Sequence, residues 1–152
     1  LVYSKSNKFI FNASSKLLKT NFSESSLKTH FRKKDSDGRA YRERKINSKS
    51  YKYYADEGKL VGSVWNDIKS MKANSPLMEE YTTYPTQKPI SLLSRIISAS
   101  SRKGDFIMDT YCGSGTSLVT ANNLNRKWIG IDQSENATKI TKSRLDNNYY
   151  EI

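Results

Sequence analysis

Phe106, Ile107 and Met108 form an apolar run between Gly104-Asp105 on one side and Asp109 on the other. A short unbroken run of this kind between turn signals reads as a strand in the middle of a sheet, covered on both faces. Small and apolar residues then fall at helical spacing over 116–125, and "KWIGIDQ" (127–133) reads as a second strand. Segment 134–148 opens with Ser134 as an N-cap and acids close behind, which predicts a last helix. Upstream, 84–101 passes from a proline-rich loop into a helix. Pro89 suits its first turn, and Ile90, Leu93, Ile96 and Ile97 share a face. Strand, helix, strand, helix predicts one right-handed βαβ unit with a trailing helix.

Before residue 80 the patterning is weaker. "LVYSKSNKFIF" reads as two strands joined by a turn at Ser6-Asn7-Lys8. Residues 23–34 predict a short helix capped by Ser23, with Leu27 and Phe31 on one side. A turn at Asp37-Gly38 leads into a dense basic run within 35–45. Segment 51–68 alternates weakly, with turns at Asp56-Glu57-Gly58 and Gly62-Ser63, and predicts short irregular strands. The expected division is therefore 1–80 and 81–152. Leu1 in place of Met, at the head of an apparent strand, reads as the back portion of something longer.

Charge sharpens that division. The net charge is +11, and residues 1–75 hold 17 Lys and Arg against 7 Asp and Glu, while 76–152 hold 9 against 8. A basic half beside a neutral half implies that one part meets a polyanion. The hydrophobic share is 36% and the mean hydropathy -0.76, thin for a self-sufficient core in 152 residues. The single cysteine, Cys112, excludes an internal disulfide and a cysteine zinc cluster and fits a reducing cytoplasm. The one histidine, His30, has no metal partner in the pattern, so no metal is expected. No apolar run approaches the ~20 residues of a membrane span.

The corner "DTYCGSGTS" (109–117) carries the chemistry. Glycines between a strand and a helix let a ligand approach bare backbone and face the free N–H groups at the helix start. A phosphate loop would need Gly-Lys-Ser/Thr, but Thr116 follows the second glycine. A dinucleotide fingerprint would need a third glycine where Leu118 stands. An adenosine bearing an amino acid instead of phosphates welcomes acids here. Asp109 can accept from the methionine amino group. Asp132, 19 positions past Gly113 at the next strand end, can hold the ribose hydroxyls. The pattern points to S-adenosyl-L-methionine.

Residues 84–145 closely resemble the cofactor-binding part of the beta-class DNA amino-methyltransferases, which modify adenine N6 or cytosine N4. The residues that carry this are Thr-Gln-Lys-Pro (86–89), Gly-Asp (104–105), Asp-x-x-x-Gly-Ser-Gly-Thr (109–116) and Ile-Gly-Ile-Asp (129–132). "LVYSK", "DGRAYR" and "VWNDI" are similar to the family more loosely. The resemblance implies an α/β fold, part of a Rossmann-like AdoMet-dependent methyltransferase, preceded by an irregular basic recognition segment. It implies that Asp109, Tyr111, Gly113, Ser114, Gly115 and Thr116 line the methionine side, with Cys112 among them as a small buried residue. Asp132 would take the ribose, Gln133 would lie beside the adenine, and Thr86, Lys88 and Pro89 would close on the carboxylate. Thr110-Tyr111 stands where the family usually has Pro-Phe, so a stiffening proline is lost and the aromatic face kept.

The family's catalytic tetrapeptide, Asp/Asn/Ser-Pro-Pro-Tyr/Phe/Trp, is absent: Pro76, Pro85 and Pro89 are not adjacent. No residue of this chain is assigned the catalytic step. The expectation is a C-terminal portion that associates with a missing N-terminal catalytic half, in the same or another chain, and folds poorly alone with its strand flanks open. The alternative is a non-catalytic cofactor- and DNA-binding subunit, or a remnant of a split methyltransferase. In the basic half, Arg32, Lys33, Lys34, Arg39, Arg42, Arg44 and Lys45 are the candidate contacts to double-stranded DNA. Tyr41, Tyr51, Tyr53 and Tyr54 lie among them, more as scaffold packing than as stacking platforms. The function expected of the whole is methyl transfer to an exocyclic base amine, adenine N6 ahead of cytosine N4, in restriction-modification.

Overall fold

A computed structural model describes residues 3–71 and 79–145. They form two compact units, one of Ala13–Trp65 and the other of the first twelve residues with everything from Asn66 onward.

The Ala13–Trp65 unit is antiparallel. Strand β1 (Lys19–Thr20) is followed by helix α1 (Glu24–His30), then by β2 (Lys33–Lys34), β3 (Ala40–Ile46), β4 (Lys49–Tyr54) and β5 (Lys59–Leu60). The β2, β3 and β4 strands make one sheet in that order, and β1 pairs with β5. Ser23 caps α1 as expected, accepting the Ser26 amide at 3.3 Å. Asn47 and Ser48 both take positive φ (49° and 64°), the twist a two-residue hairpin needs between β3 and β4. Gly58, at φ 67°, stands where an added Cβ would lie 2.7 Å from the Thr20 carbonyl oxygen, so only glycine lets these strands meet. Leu18 and Phe31 are buried, and Phe22 tilts against Phe31 with ring centres 4.5 Å apart.

The other unit is α/β. Helix α2 (Ile90–Ser100) precedes β6 (Phe106–Asp109), α3 (Thr116–Asn123), β7 (Lys127–Gly130) and α4 (Glu135–Arg144). Strands β6 and β7 are parallel, with Ile107 opposite Trp128 and Asp109 opposite Gly130. The pairing continues past the strand ends: Ile131 donates to the Asp109 carbonyl at 2.9 Å and Cys112 to the Ile131 carbonyl at 3.0 Å. This is a strand–helix–strand–helix unit of Rossmann-like type. Leu118, Ala121 and Ala137 are almost wholly enclosed, and Gly130 is where α3 closes on the sheet. Ser134 caps α4 through the Ala137 amide at 3.3 Å. Residues 146–148, which the pattern assigns to the last helix, lie outside the described residues.

Three expectations change. Residues 3–12 contain no strand, so the predicted opening hairpin is not present among the described residues; its first two residues, Leu1 and Val2, lie outside them. Two strands without a covering layer are marginal; instead the Asn12 side chain ties the end of α2, donating to the Ser98 and Ser101 carbonyls at 2.8 Å each. Strand β6 is not central: among the described residues it pairs only with β7, and Phe106 and Met108 are 65% and 62% exposed. Among the described residues the predicted full covering of this strand is therefore not present. On α2 the buried side includes Arg95, Ile97 and Ser98, leaving Ile96 exposed, because Arg95 turns inward to pair with Asp67.

Candidate functional site

The corner after β6 is assembled from backbone and two carboxylates. Asp109 ends the strand; its Oδ1 accepts the Tyr111 amide at 3.1 Å and its Oδ2 the Ser117 hydroxyl. Asp132, beyond the end of β7, reaches back so that Oδ2 accepts the Gly113 amide at 2.8 Å while Oδ1 accepts the Ser134 amide at 2.9 Å. Those amides, Ser134 foremost, hold the Asp132 carboxyl below the usual carboxylate range. Each oxygen keeps a further lone pair for a ligand hydroxyl. Among the described residues neither Asp109 nor Asp132 belongs to an ion pair.

The loop itself is held from below. Gly113 and Gly115 both take positive φ (53° and 70°), and Gly115 opens α3. An added Cβ at Gly115 would come within 2.5 Å of Thr141 Oγ1, and one at Gly113 within 3.1 Å of the Tyr84 ring. Thr141 donates to the Gly113 carbonyl at 3.0 Å; Arg144 donates to the Ser114 carbonyl at 2.6 Å and to Thr116 Oγ1 at 3.1 Å. Two residues of α4 thus fix two successive loop carbonyls, and sequence reasoning missed both. Burial pushes the Arg144 guanidinium down, and the Glu80 carboxylate opposes that.

The candidate residues divide by position. Tyr111 is 86% exposed at the lip of the corner, and Gln133 is exposed past Asp132. Ser114 and Thr116 are buried under the loop with their hydroxyls 3.2 Å apart, so their side chains build the corner and do not line its surface. Cys112 is buried in the cluster with Leu118 and Leu145. Burial first, then Asp132 and Asp109, pushes its thiol up, which fits a packing role and not a nucleophile's.

The Thr-Gln-Lys-Pro loop is organised around Gln87, which pattern reading passed over. Buried, it accepts from the Thr82 amide at 2.9 Å and the Thr82 hydroxyl at 2.7 Å, and donates to the Glu80 carbonyl. Glu80 in turn accepts the Ile90 amide at 2.8 Å, capping α2. Pro89 is buried; Thr86 and Lys88 are exposed, with the Lys88 ammonium donating to the Thr86 carbonyl at 2.7 Å. Tyr84 is the loop residue that touches the corner, through Gly113.

In the Ala13–Trp65 unit, Arg32, Lys33, Arg42, Arg44 and Lys45 line one open concavity of about 650 Å³, together with His30. Lys34 and Arg39 are not part of it. Arg39 is engaged elsewhere: Nε and Nη2 each donate to Asp56 at 2.8 Å, Glu57 lies 3.5 Å away, and Tyr54 lies beneath the guanidinium at 3.9 Å. Lys33 pairs with Glu43 at 2.6 Å. Among the described residues no three or more His, Cys, Asp and Glu side chains gather as a metal cluster, and no helix is long and apolar enough to cross a membrane.

Comparison with known proteins gives the family. The chain is 39% identical over 111 residues to the type II methyltransferase M2.DpnII of Streptococcus pneumoniae, an alignment covering 68% of this chain and 40% of that protein. It is 40% identical over 111 residues to the type II methyltransferase M2.LlaDCHI of Lactococcus lactis subsp. cremoris, covering 68% and 39%. It is 43% identical over 88 residues to the DNA adenine methyltransferase YhdJ of Escherichia coli (strain K12), covering 58% and 29%. The chain therefore spans two fifths or less of the length of these relatives. The family model described as DNA methylase, that of the N6/N4 methyltransferases, matches residues 1–143, and the chain belongs to this family.

Proposed function

We infer that residues 81–152 are the S-adenosyl-L-methionine-binding part of a DNA amino-methyltransferase and that 1–80 carry its DNA recognition. The observation that supports this best is the pair of carboxylates, Asp109 at the end of β6 and Asp132 just past β7, flanking a glycine corner, with no basic side chain paired to either among the described residues. Phosphate-bearing ligands are repelled there. A ligand with an ammonium and a sulfonium is favoured, and ribose hydroxyls can donate to the free lone pairs of Asp132.

When bound, the cofactor supplies the sulfonium methyl group. The chain's own contribution is binding and orientation. Asp109, fixed by Tyr111 and Ser117, accepts from the amino group, and Asp132 fixes the sugar. Tyr111 offers an aromatic face at the lip, and Thr86 and Lys88 close on the carboxylate from an exposed loop. No adjacent prolines occur in the chain, so the Asp-Pro-Pro-Tyr type of tetrapeptide that surrounds the target amine must come from another segment or another chain. The acceptor base in this reading is adenine, the base that the name of the E. coli relative prints; its exocyclic N6, in double-stranded DNA and a restriction-modification setting, is the amine we assign.

The test is methyl transfer by the whole protein to duplex DNA from labelled cofactor, with the product digested to nucleosides. N6-methyladenine supports the reading, N4-methylcytosine replaces the acceptor, and transfer that survives Asp109→Ala undiminished removes the corner from the reaction.

A further inference from the structure

Arg42 is arranged unlike its basic neighbours. It lies on β3 opposite Tyr53, and its guanidinium carbon lies 5.5 Å from the Phe22 ring centre, 5.3 Å from that of Phe31 and 5.8 Å from that of Tyr53. Three aromatic rings therefore lie around one cation and leave its charge uncompensated. No carboxylate pairs with it among the described residues, and its Nε is buried with no hydrogen-bond partner. Arg39, a few residues away, shows the contrasting case: both its fork nitrogens are spent on Asp56, with Glu57 beside it.

Arg42 lines the concavity together with Arg32, Lys33, Arg44 and Lys45. The one carboxylate in that lining, Glu43, is already held by Lys33. A buried donor without an acceptor costs free energy until an oxygen arrives. A planar fork, set among aromatic rings and in a field of like charges, matches an anionic group with several oxygens. We propose that this concavity binds one phosphodiester of the DNA backbone and that Arg42 is its anchor. Arg39, in this assignment, is a scaffold residue and makes no DNA contact. Five cations crowd this lining against Thr29, His30 and Ser50, a composition that favours the backbone over a base edge, whose reading needs directional partners. The inference rests on the DNA reading above and gives it a place and a residue.

The experiment is fluorescence anisotropy of the full chain with labelled duplexes of several sequences, each titrated across a range of salt. The wild-type chain should bind all of them with a steep negative dependence on salt. Arg42→Gln should weaken every duplex equally and reduce the magnitude of the log–log salt slope by about one. Arg42→Lys should keep the slope, because the charge remains, and still lose ~5–10-fold in affinity with the fork. Arg39→Gln should leave the slope unchanged. Loss confined to some sequences would overturn the phosphate assignment in favour of base reading. An unchanged slope in Arg42→Gln, or an equal reduction in Arg39→Gln, would overturn Arg42 as the anchor. A wild-type chain whose binding ignores salt would remove the DNA reading itself, a result distinct from either.

Discussion

Asp132 and the amide of Gly113 are 2.8 Å apart, and that one bond joins the ends of two parallel strands across the loop between them. The same carboxylate caps the entry to α4 through Ser134. One side chain therefore sets both the cofactor corner and the helix beneath it, and its protonation should matter to both.

Because the folded Asp132 carboxyl lies below its ordinary range, it binds protons less readily folded than unfolded. Its contribution to stability is present above the unfolded carboxylate value of about 3.9 and fades as pH falls through the folded value. Asp35, Glu43, Asp56 and Asp67 are depressed too, so the wild-type chain should lose stability in acid through several groups. Thermal melts of wild type and Asp132→Asn between neutral pH and pH 3 isolate this one. The gap between the two curves should be widest near neutral pH and narrow in acid.

Arg144 and Thr141 should behave as supports of the loop. Thr141→Val removes one hydrogen bond at nearly constant shape and is expected to cost about 1 kcal/mol. Arg144→Met leaves the Ser114 carbonyl without its charged donor and should cost about 1–3 kcal/mol, with Arg144→Lys recovering part. Urea denaturation of the three variants measures this.

Gly130 and Leu118 form a close contact that sequence alone does not display. A Cβ on Gly130 would lie 2.2 Å from Leu118 Cδ1. Gly130→Ala should therefore destabilise by about 1–3 kcal/mol through overpacking. Combined with Leu118→Ala, which vacates that space, the costs should fall short of additivity by more than ~0.5 kcal/mol.

Cys112 should be slow to react. Its burial and raised thiol predict that a thiol reagent labels it slowly in the native chain and rapidly in denaturant. Cys112→Ala should retain cofactor binding.

The second half of the chain was legible because its signals are local. Ser134 as a cap, Pro89 at a helix start and glycines at a strand-helix corner each act on the next few residues, and the helices lie where those residues put them. Asp109 stands at the end of β6, where its apolar run stops, and Asp132 lies two residues past β7, a strand shorter than the 127–133 the pattern predicts. Thr141 and Arg144 were not legible: they act by donating to backbone carbonyls of a distant loop, which leaves no trace in hydrophobic patterning. The β3–β4 hairpin was missed for a related reason. Its turn residues, Asn47 and Ser48, adopt positive φ without the glycine that usually advertises it. The opening hairpin failed the other way, since alternation suggested strands that no neighbouring strand supports among the described residues. In the basic half, charge count gave seven candidates equal standing, and only geometry separates Arg42 in its ring of aromatics from Arg39 bound to Asp56.

The most direct test of the central claim is a calorimetric titration of the folded chain with S-adenosyl-L-methionine, repeated with Asp109→Ala. Saturable one-site binding that the variant weakens ~10-fold or more is the predicted result, since it removes a charge-assisted hydrogen bond to the amino group. Equal binding by wild type and variant, or none by a wild-type chain shown to be folded, would contradict the assignment of this corner to the cofactor.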